Sequence, residues 1–225
     1  MTKILLIATA HAQLGSTGEK TGLWLEELTT PYYSFADAGA DVEIATLPGG
    51  KVPIDPRSLA DKPPSVERFM ADAAAMAKIE YAKRLSTLNI AAYDAIFLAG
   101  GHGTMFDLPE SPVLAAALSD AWAQGKVVSA VCHGPAGLLH VKDTQGRPLL
   151  AGRVVSAFTN SEEDAVGLTK SVPFLLETAI RELGARYESG PDFQPFARRD
   201  GKLVTGQNPA SSAKVAELVL EAIKG

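Results

Sequence analysis

The stretch VVSAVCHGPAGLL, residues 127–139, combines an apolar run, the only cysteine of the chain and a Gly-Pro break. Its first five residues do not alternate between polar and apolar side chains, which is typical of a strand buried on both faces of a parallel sheet. Gly134 permits a tight backbone approach, and Pro135 suits the first turn of a helix, where its missing N–H costs little. The stretch therefore predicts a strand, a sharp turn at Cys132 and a helix, which is the layout of a nucleophile elbow.

Apolar runs of the same kind recur along the chain, with helical patterns between them. The other predicted strands are KILLIAT (3–9), DVEIATL (41–47), AIFLAG (95–100), VVSAF (154–158) and LVTG (203–206). The predicted helices lie in residues 21–39, 65–85, 112–125, 171–184 and 209–225. Asn208 is expected to cap the last helix, with Pro209 at its first position. Alternating β and α elements predict an α/β fold, a doubly wound parallel sheet sandwiched by helices.

The length and composition of the chain indicate one domain. With 225 residues and 46% hydrophobic content, residues 1–225 can bury a sizeable core as a single α/β unit. The segment at about 48–66 is rich in Pro and Gly, and we expect it to be an excursion on the rim of that domain.

The charge and the cysteine content exclude several classes of partner and compartment. The net charge is −5 and no Lys/Arg cluster occurs, so the sequence predicts neither nucleic acid nor a membrane as partner. The apolar runs are shorter than a bilayer span, and the first run lacks the flanks of a signal peptide. One cysteine cannot form an internal disulfide and gives no sign of an oxidising compartment. We therefore expect a cytoplasmic protein.

In open α/β sheets, ligands bind beyond the carboxyl ends of the strands, and Cys132 follows such an end. A helix N-terminus after the turn would lower the pKa of the thiol and favour a nucleophilic thiolate in an open hollow. His133 is adjacent and can face the same cleft as the cysteine, because the turn interrupts the alternation of a strand. A catalytic base usually has a third group that orients it, and FTNSEED (158–164) offers Glu162, Glu163 and Asp164. Spacing leaves that choice open.

The glycine-rich turn AGGHGT (99–104) follows another buried strand. It lacks the spacing and the lysine of a P-loop, but the backbone of Gly100 and Gly101 could present N–H groups to an oxyanion. His102 could line the pocket or brace the loop. The spacing of Cys132, His133 and His102 is not that of usual metal ligands, so we predict no metal.

Three motifs together resemble one family over nearly the whole chain. They are AGGHGTMFDLPES (99–111), VVSAVCHGPAGLL (127–139) and GKLVTGQNPASS (201–212). The combination resembles the ThiJ/PfpI superfamily, and more narrowly its heat-shock-chaperone-like branch, the glutathione-independent glyoxalases (glyoxalase III). The resemblance implies a flavodoxin-like, class I glutamine amidotransferase-like fold. A glutaminase with this fold also needs a His-x-Glu pair late in the chain. The last histidine of this chain is His140, so no such pair exists and we discount a glutaminase.

The resemblance also implies residue roles. Cys132 is the nucleophile, His133 the base and Glu163 the acid of a triad, with Glu162 and Asp164 still possible. Glu27, in TGLWLEELTTP (21–31), matches a buried glutamate that touches the cysteine. The backbone at Gly101 and His133 would bind the oxyanion. The pocket would be shaped by the rim and by Tyr32, Met105, Phe106 and Phe193.

The activity implied is conversion of a small 2-oxoaldehyde such as methylglyoxal to a 2-hydroxy acid, D-lactate, through a hemithioacetal and an enediol. It requires no metal, nicotinamide or glutathione, and the superfamily implies a homodimer. The alternatives are a cysteine peptidase, a holdase chaperone of the stress response, a protein deglycase and a redox-sensing cysteine protein.

Overall fold

Nine strands and eight helices make up the fold in the computed structural model, which describes residues 1–225. The strands are β1 (Lys3–Ile7), β2 (Asp41–Thr46), β3 (Lys83–Arg84), β4 (Ala95–Leu98), β5 (Val127–Val131), β6 (Val154–Val155), β7 (Arg186–Tyr187), β8 (Ala197–Asp200) and β9 (Leu203–Gly206). The helices are α1 (Glu26–Asp37), α2 (Pro64–Ala71), α3 (Ala73–Glu80), α4 (Thr104–Asp107), α5 (Pro112–Ala123), α6 (Asn160–Ala165), α7 (Leu176–Glu182) and α8 (Ser212–Lys224). None of these helices has the length and apolar character needed to cross a bilayer.

Seven strands form one sheet in the order β3-β2-β1-β4-β5-β9-β8. All neighbours are parallel except β8, which runs antiparallel to β9 at the edge. The five inner strands β2-β1-β4-β5-β9 follow the flavodoxin-like order, in which the chain reverses direction across the sheet between β1 and β4. The predicted doubly wound α/β fold is confirmed.

Successive side chains of the inner strands point into two apolar clusters, one on each face of the sheet. Ile4 and Leu6 pack with α1 and α8, whereas Leu5 and Ile7 pack with α5 and α7. Because both faces are covered, the inner strands are mostly apolar on both faces rather than alternating between polar and apolar residues. Both clusters share the same sheet, and we therefore propose that residues 1–225 form one domain.

The strand predicted at 154–158 is not part of the main sheet. Only Val154–Val155 is a strand, and it pairs with β7 in a separate two-stranded sheet. The edge of β5 that faces away from β4 pairs with β9, so residues 156–158 cannot pair there and lie across the end of the sheet. There the N–H of Ser156 donates to Thr205 Oγ1 at 2.9 Å, and that of Phe158 donates to the carbonyl of Cys132 at 3.0 Å.

The single helix predicted at 65–85 is two helices that meet at Asp72. That residue has an extended backbone (φ −94°, ψ 100°) and ends α2. Its carboxylate accepts hydrogen bonds from the N–H groups of Ala74 and Ala75 and so caps α3, as Asp commonly does. The prediction at the last helix is confirmed, since Asn208 caps a 3-10 turn (Pro209–Ser211) that leads into α8.

Candidate active site

Cys132 lies at the turn after β5, where the backbone is strained. Its φ of 57° lies in the left-handed region, which is uncommon for a residue with a Cβ. The N–H of Cys132 donates to Gly206 at 2.9 Å, and its carbonyl accepts from Phe158, so neighbouring segments hold the backbone on both sides. Such strain persists only where the surrounding structure enforces it, and it is concentrated at functional sites.

The turns after β4 and β5 touch through their backbones because both carry glycine. A Cβ on Gly134 would collide with the carbonyl of Leu98, and one on Gly100 would collide with the carboxylate of Glu27 and the carbonyl of Val131. Only glycine permits this approach. It brings the GGHG turn beside the cysteine.

The sulfur of Cys132 begins a chain of hydrogen bonds through His133 to Glu163. Sγ lies 3.2 Å from Nδ1 of His133, and Nε2 of that ring lies 2.7 Å from an oxygen of Glu163. Glu163 is therefore the acid that contacts His133. Glu162 turns back to cap α6 in a capping box with Thr159, and Asp164 is exposed.

A second histidine binds the same carboxylate. Nε2 of His102 lies 2.8 Å from the other oxygen of Glu163, and the centroids of the His102 and His133 rings are 4.1 Å apart. Burial opposes the charge of Glu163, but the hydrogen bonds from both imidazoles outweigh it and hold the pKa of that carboxyl below its ordinary value. Burial and the neighbouring His102 lower the pKa of His133 to about 4. His133 is therefore neutral near neutral pH.

Glu27, at the start of α1, lies on the other side of the cysteine and is fully buried. One oxygen accepts from the N–H of Gly100 at 2.8 Å, the other has no hydrogen-bond partner in the protein, and the carboxyl group lies beside the sulfur of Cys132. Burial raises the pKa of Glu27 well above its ordinary value and so favours the protonated carboxyl.

The sequence prediction of a lowered thiol pKa is wrong. Burial and the adjacent Glu27 raise the pKa of Cys132, and only 3% of the residue is exposed. The segment that follows the turn is a five-residue 3-10 helix, Gly134–Leu138, rather than the longer α-helix whose dipole would favour a thiolate. At rest the group is a thiol beside a neutral imidazole, so the thiolate must form by proton transfer to Nδ1 of His133.

The backbone donors predicted for an oxyanion have different environments. The N–H of Gly100 is occupied by Glu27 and is not available. That of His133 lies against the sulfur, and that of Gly101 donates to no protein acceptor. Gly101 also lines the pocket above the sulfur, so its N–H is the donor best placed for an incoming oxygen.

A small cavity of about 100 Å³ lies over the sulfur. It is lined by Trp24, Gly101, His102, Cys132, His133, Phe158, Val166, Phe193 and Pro209. An outer cleft of about 420 Å³ adjoins it, and the two share Trp24, Phe193 and Pro209. Of the four side chains expected to shape the pocket, only Phe193 lines it. Tyr32 packs on Phe69, Phe106 stacks on His11, and Met105 is in the core.

The rim segment contributes to the outer cleft through residues that the sequence did not single out. Arg57, Ser58, Ala60 and Asp61 line the cleft. The guanidinium of Arg57 is held by two hydrogen bonds, of 3.0 and 2.6 Å, to the buried carboxylate of Asp55. In the sequence, the pattern Asp-x-Arg at the start of a proline-containing turn could have indicated that a carboxylate holds Arg57 in place.

Metal-ligating atoms are grouped in one place, at His102, His133 and Glu163, and lie within 4.8 Å of one another. Hydrogen bonds between both imidazoles and the carboxylate already account for this arrangement. We assign no metal to it.

Comparison with known proteins places the chain in a family. Residues 21–222 match the DJ-1/PfpI family. The chain belongs to the DJ-1/PfpI family. It is 32% identical to glyoxalase 3 of Candida albicans, over 100% of this chain and 99% of that protein. It is also 32% identical to the glutathione-independent glyoxalase HSP31 of Saccharomyces cerevisiae, over 99% and 98%.

Solved structures of the DJ-1/PfpI family superpose closely on this fold. Rapid Encystment Protein 24 KDa (REP24) of Francisella tularensis gives a TM-score of 0.96 at 40% identity, with 99% of each chain covered. Glyoxalase III of C. albicans gives a TM-score of 0.91 at 31% identity, with 98% of this chain and 97% of that chain covered. The family resemblance seen in the sequence is confirmed.

Proposed function

We propose that this protein is a glutathione-independent glyoxalase that converts methylglyoxal and similar 2-oxoaldehydes to 2-hydroxy acids, D-lactate in the case of methylglyoxal. The observation that carries the proposal is the strained Cys132 at the floor of a small pocket, within hydrogen-bond distance of His133 on one side and beside the buried Glu27 on the other. The names of the relatives, glyoxalase 3 and glutathione-independent glyoxalase, support it.

The reaction begins with transfer of the thiol proton to Nδ1 of His133, 3.2 Å away. The sulfur then forms a bond to the aldehyde carbon, and the carbonyl oxygen takes the proton from His133, which gives a hemithioacetal. The N–H groups of Gly101 and His133 stabilise the charge that develops on this oxygen. Because the protein supplies its own sulfur, no glutathione thiol is needed.

The second stage moves a proton from the aldehyde carbon to the neighbouring carbon through an enediol. A base near the sulfur removes the proton, and His133 and Glu27 are the two groups beside the sulfur that could do so. The product is a thioester of Cys132, and water hydrolyses it to the 2-hydroxy acid and the free thiol. Glu27 keeps a proton beside the sulfur, where it can hydrogen-bond to the thiolate that leaves.

The size of the pocket favours a small substrate. A cavity of about 100 Å³ accommodates a three-carbon aldehyde but not a folded segment of polypeptide, which a cysteine peptidase would have to admit. The buried sulfur and its raised pKa also disfavour a redox sensor, since oxidation needs an exposed thiolate.

The experiment that tests the function is incubation of the pure protein with methylglyoxal in the absence of glutathione, with D- and L-lactate measured separately. We expect D-lactate from the wild type and none from Cys132→Ala with an unchanged melting temperature. Lactate formation by a clean preparation of Cys132→Ala at the wild-type rate would refute the proposal. Suppression of protein aggregation that survives the same substitution would instead identify a holdase.

We also propose that the protein is cytoplasmic, as its composition and single cysteine led us to expect, and that it is a homodimer, as the family resemblance implies. Light scattering coupled to size-exclusion chromatography tests the oligomeric state, and the mass of a monomer would contradict it.

A further inference from the structure

Two histidines share the carboxylate of Glu163, and this sharing determines their tautomers. Each oxygen of Glu163 lies within 2.8 Å of the Nε2 atom of a different ring, His102 or His133. An ionised carboxylate can only accept hydrogen bonds. Each Nε2 therefore carries a hydrogen, so in either ring the nitrogen that can hold a lone pair and act as a base is Nδ1. The site thus contains two bases rather than one.

The two Nδ1 atoms have different environments. That of His133 lies 3.2 Å from the sulfur of Cys132 and serves the thiol. Nδ1 of His102 has no hydrogen-bond partner in the protein. It does not belong to the group of fully buried polar atoms without a partner. The His102 ring lines the small cavity over the sulfur, and Nδ1 is the ring nitrogen that Glu163 does not engage.

Glu27 is less well placed to reach a substrate carbon. It is fully buried and does not line the cavity. One of its oxygens is held by the N–H of Gly100, and the carboxyl group contacts the sulfur from the side of α1. It can exchange a proton with the sulfur, but the cavity wall separates it from a bound aldehyde.

We propose that Nδ1 of His102 is the base that carries the proton between the two substrate carbons, while His133 serves the sulfur. This inference rests on the proposed glyoxalase function. His102 removes the hydrogen of the hemithioacetal carbon, whose electron pair forms the double bond to the neighbouring carbon and leaves a negative charge on the ketone oxygen. The hydroxyl proton of the first carbon passes to that oxygen, and His102 returns its proton to the second carbon. The carbonyl of the thioester forms at the first carbon, and the ring is neutral again.

The direct test is His102→Gln, which retains an amide N–H that can donate to Glu163 but removes the base. We expect kcat for lactate formation to fall about a hundred- to ten-thousand-fold, the usual contribution of a general base. KM should change little, and the rate at which iodoacetamide alkylates Cys132 should be retained. The matched control is His140→Gln, on the exposed surface, which should leave kcat unchanged.

Two further measurements separate a base from a residue that only positions the loop. Deuterium at the aldehyde carbon of methylglyoxal should slow His102→Gln more than the wild type, because transfer of this hydrogen becomes rate-limiting. Added imidazole should restore part of the activity of His102→Ala. Wild-type kcat in His102→Gln, a parallel loss of alkylation, or no isotope effect in the slowed variant would each overturn the proposal.

The two hypotheses fail in distinguishable ways. If the wild type forms no lactate, the glyoxalase function itself is wrong. If the wild type forms lactate and His102→Gln forms it equally fast, only the assignment of His102 is wrong.

Discussion

Cys132 and its neighbours show how burial sets the resting state of the site. The sulfur lies between Glu27 and His133 at the floor of the cavity, and burial favours the uncharged form of all three groups. Charge appears only when the thiol proton moves to Nδ1 of His133. A substrate that places its carbonyl oxygen at the N–H of Gly101 makes that transfer favourable, because the developing charge then has a donor in a cavity of low dielectric. The thiol is therefore protected from side reactions between turnovers.

The low pKa of His133 predicts an unusual pH profile at the residue scale. The ring must be neutral to accept the thiol proton, and burial keeps it neutral until the pH falls to about 4, well below the 6.5 of an ordinary histidine. We expect the nuclear magnetic resonance signals of the His133 ring to show no inflection near 6.5 and to shift only as the pH approaches about 4. Circular dichroism at each pH checks that the protein is folded, and an inflection near 6.5 would contradict the prediction.

At the scale of elements, α6 directs two consecutive glutamates to different tasks. Glu163 points to the histidines, and the buried Glu162 joins α6 to the wall of the pocket. Its carboxylate accepts hydrogen bonds from the N–H of Phe193 at 2.7 Å, from Asn208 at 2.8 Å and from Gln207 at 3.1 Å. The helix, the loop that carries Phe193 and the start of α8 are thus held together by one carboxylate.

Glu162→Ala is therefore expected to destabilise the fold by about 2 kcal/mol or more, since several buried donors lose a charged acceptor. It should also raise KM, because Phe193 lines the cavity. Asp164→Ala is the matched control, since that residue lies on the same helix but is exposed. Urea denaturation of both variants checks the prediction, and equal midpoints for them would contradict it.

At the scale of the whole molecule, Glu27 and Glu163 link stability to pH with opposite signs. The folded-state pKa of Glu27 is raised above the ordinary value of 4.5. Its contribution to the free energy of unfolding is therefore fully present below pH 4.5 and is lost as the pH rises. The folded-state pKa of Glu163 is lowered, so its contribution is present above 4.5 and is lost as the pH falls.

Two isosteric variants should reveal these opposite signs. Relative to the wild type, Glu27→Gln should gain stability as the pH rises from 4.5, whereas Glu163→Gln should be destabilised near neutrality and recover below 4.5. Melting temperatures across this range measure both trends, with about 2–4 °C for each kcal/mol in a protein of this size. Differences that do not vary with pH would contradict the linkage.

The sequence by itself determined the inner strands, the elbow and the identity of the thiol. Runs such as 95–98 and 127–131 are almost wholly apolar, and a Gly-Pro break follows Cys132 after one residue, so short-range patterns suffice to place them. His133 could be assigned to the site because it directly follows Cys132 in the chain. The sequence also contains the capping-box pattern Thr159-x-x-Glu162. This pattern could have assigned Glu162 to the helix N-terminus and Glu163 to the site.

Only the tertiary structure decided which groups meet and what charge they carry. The run 154–158 has the pattern of a strand, but the edge of β5 was taken by β9, about fifty residues further along the chain. Glu27, His102 and Glu163 come from three separate segments: Glu27 lies beside the sulfur, and the other two join the hydrogen bonds around His133. The thiol pKa rose where a helix dipole predicted a fall, because desolvation and a buried carboxyl outweigh a short 3-10 turn. Local patterns report the local backbone, whereas burial and partners are sums over contacts between residues distant in sequence.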